Sequence, residues 1–350
     1  MEIGSEFIIN KTNNNRTGLP LFLTKYSNLK FTSSGRGAIA LVLESIKPKK
    51  RKVLLPIYIC ESVISTFKFY GYEICFYDLA DNFVPKTLDY SDIGVFFHMG
   101  YFGFDTNKSL SKEINLMKSS SIIVIEDVTH SMLSESDTFY ESDYYIGSLR
   151  KWIGIPSGGF AAGSQSLNQL SEEQTEFVNI RKKSFELKKK YFLTKNKSLK
   201  IKYLNKFSEA EKILDKDIKG YLIDTESLNI VKNTNFLEIS SVRRKNFQYL
   251  LDNFKETPNI EIVFKELQDN ITPLFFLIKV KINRDLLRSF LSKENIYCPI
   301  HWPIIEDVAK EVRKSKFENV YHEILSIPCD QRYNLEDMER ILRVISLWEV

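Results

Sequence analysis

Apolar residues in the first half of the chain fall into short, unbroken runs rather than alternating with polar ones. "KVLLPIYI" (52–59), "YEICFYDL" (72–79), "IGVFFHM" (93–99) and "SIIVIED" (121–127) each read as a strand covered on both faces. Between them "ESVISTFKFYG" (61–71) and "KSLSKEINLMKSS" (108–120) carry helical spacing, the first ending at a glycine. Strands alternating with helices predict an α/β fold built on a mostly parallel sheet. In such sheets ligands gather at the carboxyl ends of the strands.

The texture changes after Gly163. From Ser166 to about Lys219 glycine and proline nearly vanish and lysine dominates, as in "RKKSFELKKKYFLTKNKSLKIKYLNKFSEAEKIL". This predicts two long amphipathic helices, with Tyr191, Phe192, Leu193, Tyr203, Leu204 and Phe207 on the buried side and the lysines on a solvated face. A third section begins near Ser240. It has helical patterns at "SSVRRKNFQYLLDNF", "RDLLRSFLSKEN" and "LEDMERILRVISLW" and strands at "IEIVF" and "LFFLIKVKI", which suggests a smaller α+β domain. The expected division is 1–235 for a large domain that includes the lysine-rich helices, and 236–350 for a small one. Residues 1–30 read as an irregular arm broken by "NKTNNN", and "GSEF" (4–7) is compatible with either a native segment or a cloning scar.

Charge narrows the field. Forty-nine basic and 45 acidic residues leave a net charge of +4, too balanced to argue for nucleic acid or an anionic membrane. No apolar run reaches the roughly 20 residues of a membrane span, and no signal peptide precedes the first charges. The four cysteines, Cys60, Cys75, Cys298 and Cys329, form no C-x-x-C pair, which disfavours a zinc site and fits reduced thiols in the cytoplasm.

Four local signals fall at strand ends or helix starts. "SSGRGAIALVLESI" (33–46) opens a helix with small residues, whose free N–H groups suit a phosphate; ordinary capping is the plain alternative. "VIEDVTHS" (124–131) ends a strand in Glu126–Asp127, placed to pair with a buried cation or to cap a helix. "SLRKWIGIPSGGFAAG" (148–163) sets Lys151 between a short strand, "YYIGS", and a glycine pair. A lysine shielded there would have a lowered pKa and could form a Schiff base; most lysines simply sit on the surface. "IYCPIHWPI" (296–304) could line a cleft with His301 and Trp302, or form an edge strand.

The order of these signals resembles fold-type I pyridoxal-phosphate enzymes, in particular the DegT-type (DegT/DnrJ/StrS) nucleotide-sugar aminotransferases, over most of the chain. "SSGRGAI" is similar to the family's phosphate turn, "VIEDVTHS" to its E-D-x-x-[QH] motif, and "SLRKW" with the following glycine pair to its serine-lysine-glycine segment. The resemblance implies a seven-stranded, mostly parallel sheet with a smaller C-terminal α+β domain. It implies pyridoxal 5'-phosphate held covalently by Lys151, which then moves protons. Asp127 would bind the ring nitrogen and His130 the phenolic oxygen or ring face. Gly35, Arg36 and Gly37 would present N–H groups to the phosphate, joined by the Ser148 hydroxyl. The ring-stacking position falls at Cys60, with Tyr58 as a substitute, and His301 and Trp302 would meet the substrate. The implied activity is transfer of an amino group, with glutamate as the expected donor, to a keto sugar linked to a nucleotide, by a cytoplasmic homodimer without a metal. Rival readings are a sugar dehydratase or decarboxylase on the same cofactor, or a cofactor-free binding protein of this fold.

The sequence departs from the family at several points. Its serine lies three residues before the lysine where five is common. The histidine of the "H-x-x-G" turn is displaced, with His98 lying two residues before Gly100. The segment 233–244 has no clean match to the asparagine-tyrosine-arginine stretch that reaches a partner's site.

Overall fold

A computed structural model of the chain describes residues 2–9, 18–135, 141–315 and 317–348. The "NKTNNN" break lies outside these. The chain begins with β1 (Ile3–Gly4) and a short helix α1 (Leu21–Thr24). Then follow β2 (Lys30–Thr32), α2 (Gly35–Ser45), β3 (Lys52–Pro56), α3 (Glu61–Phe69), β4 (Glu73–Tyr77), β5 (Val95–Met99), α4 (Ser111–Ser119), β6 (Ile123–Asp127), β7 (Tyr144–Gly147) and β8 (Gly159–Gly163). Helices α5 (Thr175–Thr194), α6 (Lys197–Lys216), α7 (Thr225–Asn233) and α8 (Phe236–Asn253) come next. The remainder is β9 (Ile260–Ile262), β10 (Phe276–Val280), α9 (Arg284–Lys293), β11 (Ile296–Tyr297), α10 (Glu306–Lys314), α11 (Glu318–Glu323), β12 (Ile324–Ile327) and α12 (Leu335–Ser346).

Seven strands make one sheet in the order β2-β8-β7-β6-β5-β3-β4. All pairings from β7 through β4 are parallel, and β8 alone runs against both its neighbours. Every residue of β5 and β8 is buried, as unbroken apolar runs require of strands covered on both faces. The run at 52–59 outlasts its strand: Ile57, Tyr58 and Ile59 leave the sheet at Pro56 but remain in the core. A second, antiparallel sheet, β12-β10-β9, carries the C-terminal section. One continuous apolar core joins the two sheets, with Phe104 stacked on Phe264 at 3.8 Å. Strand β1 pairs in parallel with β11, so part of the arm expected to be irregular is held in the body.

Helices α5 and α6 form a hairpin that departs from expectation in two ways. Its buried side holds Tyr191, Tyr203 and Phe207, but Phe192 is only partly covered and Leu193 and Leu204 are exposed. Leu193 lies two residues, about 200°, around the helix from Tyr191 and so faces away. Most of the lysines are solvated, but Lys188 is buried and donates to the Ser5 hydroxyl and the Glu6 carbonyl. All four cysteines are free thiols. No helix among the described residues is long and apolar enough to cross a membrane.

Candidate active site

The turn before α2 is shaped by glycines on two segments. Gly158, at φ +156°, donates its N–H to the Ser33 carbonyl at 2.7 Å. A Cβ on Gly159 would lie 2.4 Å from the Ser34 carbonyl oxygen, and one on Gly35 would lie 3.2 Å from Cβ of Ser148. The glycine pair after Lys151 therefore lets β8 press against the turn, and Gly35 lets Ser148 reach it. Ser34 caps α2 by accepting the Gly37 N–H at 3.0 Å. This corrects the expectation for Gly37, whose N–H is spent on the cap and which does not line the cleft. Gly35 and Arg36 do line it, and their N–H groups have no acceptor among the described residues. The Arg36 side chain turns away to Asp215, at 2.7 Å.

At the end of β6 two adjacent carboxylates face opposite sides of the sheet, as strand alternation demands. Asp127 is buried in the cleft, where desolvation pushes its carboxyl up to about 6 against the opposing pull of the Thr129 hydrogen bond and the Lys151 charge. Glu126 sits on the other side, bonded by Asn107 and Ser142, and burial pushes it up to about 7. His98 belongs to that second network, 2.9 Å from both Ser142 and Asn107, and takes no part in the cleft.

Thr129 fastens these parts together. Its N–H donates to Asp127 Oδ1 at 2.8 Å, its hydroxyl accepts the Ser148 N–H at 3.0 Å, and its carbonyl accepts the Trp152 indole N–H at 2.7 Å. The loop bearing Lys151 is thereby held against the strand bearing Asp127. Lys151 is exposed to the cleft rather than shielded from water, which corrects the expectation of a buried lysine. It needs no burial cost because it stands in an open cavity of about 470 Å³, within the range of small-molecule sites.

His130 is fully buried, and its Nδ1 accepts the Phe102 N–H at 3.4 Å, which assigns the proton of the neutral ring to Nε2. Burial, then His301 and Lys151, hold its pKa well below the usual histidine range. The Trp302 ring stacks on it, with centroids 5.5 Å apart. His301 lines the same cleft and bonds Ser326 through Nδ1 at 2.9 Å. Cys60 lies on the cleft wall at the start of α3. Tyr58 does not line the cleft: its ring packs in the core against Phe83, Tyr101, Phe317 and Tyr321, backing Trp302 from behind. The substitute stacking role is therefore corrected to a core role.

Cleft residues outside the sequence reading include Thr129, Arg150 beside Lys151, Glu6 from the arm, and Arg181 and Glu211 from the α5–α6 hairpin. Thr129 and Arg150 lie within the "EDVTH" and "SLRKW" motifs and were readable there; Glu6, Arg181 and Glu211 come from distant segments with no local signal. The arm that carries Glu6 packs closely on β11, where a Cβ on Gly4 would lie 2.1 Å from the Tyr297 carbonyl oxygen. A second cavity of about 610 Å³ adjoins the first, shares Glu6, His130, Arg150, Lys151 and His301 with it, and adds Arg288 and Arg332.

These residues fit pyridoxal phosphate. The cleft holds free N–H groups and a serine, a buried carboxylate and a lysine amine, the donor, acceptor and nucleophile that the phosphate, ring nitrogen and aldehyde of this cofactor call for. No protein-family profile matches the sequence, and no curated protein does. Solved structures do match. PseC from Helicobacter pylori, an aminotransferase in pseudoaminic acid biosynthesis, has a TM-score of 0.70 at 14% identity, covering 99% of this chain and 98% of its own. Spr1654 from Streptococcus pneumoniae, solved in its PLP form, has a TM-score of 0.63 at 13% identity, covering 99% and 98%. DesI, solved with its TDP-sugar product, has a TM-score of 0.65 at 10% identity, covering 99% and 94%. At such identities the likeness speaks to architecture: this chain has the α/β fold of pyridoxal-phosphate-dependent sugar aminotransferases.

Proposed function

We propose that this protein is a pyridoxal-phosphate-dependent aminotransferase of the DegT type, acting on a keto sugar linked to a nucleotide, with glutamate as amino donor. The observation that carries the reading is the meeting of Asp127, Lys151 and the uncapped N–H groups of Gly35 and Arg36 in one cleft at the carboxyl ends of the strands.

When bound, pyridoxal phosphate supplies an aldehyde for the amine and a ring that draws electron density from the substrate carbon. The chain's residues do the rest. Asp127, ionised against the ring nitrogen, keeps the proton there. Lys151 would hold the aldehyde and, once displaced by the donor's amine, would serve through Nζ as the base that moves a proton between the donor's carbon and the former aldehyde carbon two atoms along. The Nε2–H of His130 donates toward the ring oxygen. Gly35, Arg36 and Ser148 bind the phosphate. His301 and Trp302 wall the substrate side, and Arg288 in the adjoining cavity suits a pyrophosphate. We further assign the chain to the cytoplasm as a homodimer, divided at 235/236 into a large and a small part.

The test is a half-reaction. Glutamate added to the yellow protein should bleach it and release 2-oxoglutarate in stoichiometric amount, and a nucleotide-linked keto sugar should restore the colour. Colour change without 2-oxoglutarate would instead indicate other chemistry on the same cofactor, such as dehydration or decarboxylation.

A further inference from the structure

The α5–α6 hairpin bears on the phosphate end of the cleft in a way that its lysine-rich sequence does not announce. Arg181, on α5, is almost wholly buried at 2% exposure and lines the cleft. Its Nε and Nη1 make no hydrogen bond. An unpartnered guanidinium donor at that depth is costly unless something polar meets it. Arg150, next to Lys151, has a buried Nε without a partner, while its Nη2 donates to Glu211 Oε1.

Two carboxylates hold the charge of Arg181 without taking its donors. Glu6 Oε2 lies 3.7 Å from Nη1 and Glu211 Oε1 lies 3.8 Å from it, both beyond hydrogen-bond distance. The faces of Phe185 and Phe207, 5.2 and 4.7 Å from the guanidinium carbon, fix the side chain in place. Burial and Arg150 lower the Arg181 pKa only to about 10, so it stays charged at neutral pH. The result is a rigid cation with spare N–H groups, on the same cleft as the free N–H groups of Gly35 and Arg36 and the Ser148 hydroxyl.

We propose that the hairpin closes the phosphate end of the cleft from within the same chain, with Arg181 and Arg150 as binding residues for the phosphate monoester of the cofactor. The inference rests on the proposed cofactor reading. The resemblance places only Gly35, Arg36, Gly37 and Ser148 on the phosphate; the inference adds this chain's own hairpin to them.

The experiment compares equilibrium binding of pyridoxal phosphate and of pyridoxal, which lacks the phosphate, to wild type, Arg181→Met and Arg181→Lys. Wild type should prefer pyridoxal phosphate. Arg181→Met should lose about 10-fold or more of that preference, the worth of one charge-assisted hydrogen bond, with pyridoxal binding unchanged. Arg181→Lys should recover part of it. Inorganic phosphate should raise the melting temperature of wild type and fail to do so in Arg181→Met. Should that variant fail to fold, Arg150→Gln carries the same expectations. A folded variant with undiminished preference overturns the inference and leaves the cofactor reading standing. A wild type that binds neither compound overturns both.

Discussion

Replacing Asp127 by asparagine should stabilise the cofactor-free protein while weakening the protein's hold on its cofactor. Asp127 is buried, and its carboxyl is pushed from an ordinary 3.8 to about 6, chiefly by desolvation. A shift of about two units corresponds to roughly 3 kcal/mol at 1.36 kcal/mol per unit. A carboxyl raised in the folded state binds its proton more tightly there than in the unfolded chain. Stability therefore falls as pH climbs from about 4 to about 6, and the full cost is present above that. Asparagine keeps an oxygen for the Thr129 N–H and carries no charge, so it escapes the cost. Its two new amide donors offset some of the gain wherever they lack an acceptor. Unfolding entropy near 2.1 cal/mol/K per residue makes the electrostatic part worth about 4 °C in melting temperature for a chain of this size. The assay is thermal or urea unfolding of both proteins without cofactor across pH 4 to 8. The gap should favour the variant near pH 7.5 and shift against it by roughly 2.4 kcal/mol on acidification to pH 4. Glu126 titrates in a similar range but is common to both proteins and cancels. Adding pyridoxal phosphate should stabilise wild type more than the variant, because ligand stabilisation follows affinity. A gap that does not change with pH would refute the claim that this carboxylate is held desolvated for a cation.

The neighbouring carboxylate supplies a control: Glu126→Gln, on the far face of the strand, should leave cofactor affinity unchanged in the same titration. Gly159→Ala forces a Cβ to within 2.4 Å of the Ser34 carbonyl oxygen, and should lower stability by about 1–3 kcal/mol in urea unfolding while weakening cofactor binding. Tyr58→Ala should cost about 3–5 kcal/mol of stability as a core truncation, whereas Tyr58→Phe should bind cofactor as wild type does, since the ring does not line the cleft.

The strands and the cleft centre were legible because the signals for each are local. Unbroken apolar runs marked β3 through β6; Asp127 ends one of these runs, Ser148 follows Gly147, and Lys151 comes three residues later, ahead of the glycine pair. What the sequence hid depends on direction and on distance. Tyr58 and Cys60 lie two residues apart, and only the path of the chain after Pro56 decides that one turns into the core and the other into the cleft. Gly37 belongs to a glycine-rich turn, yet a serine three residues earlier takes its N–H. Arg181 and Lys188 look like members of a solvated lysine-rich face. Only the packing of α5 on α6, and of the N-terminal arm on both, shows them buried. Thr129 was in view within its motif, but its three hydrogen bonds connect segments whose approach no spacing reveals.

The central claim is that Lys151 carries the cofactor opposite Asp127. Borohydride reduction of the purified, pyridoxal-phosphate-loaded protein, followed by peptide mass spectrometry, tests it directly. The account predicts a phosphopyridoxyl mass on the peptide containing Lys151, and its absence in Lys151→Ala. The same mass on another lysine, such as Lys188 with its pKa lowered to about 7 by burial, or on no lysine at all, would contradict it.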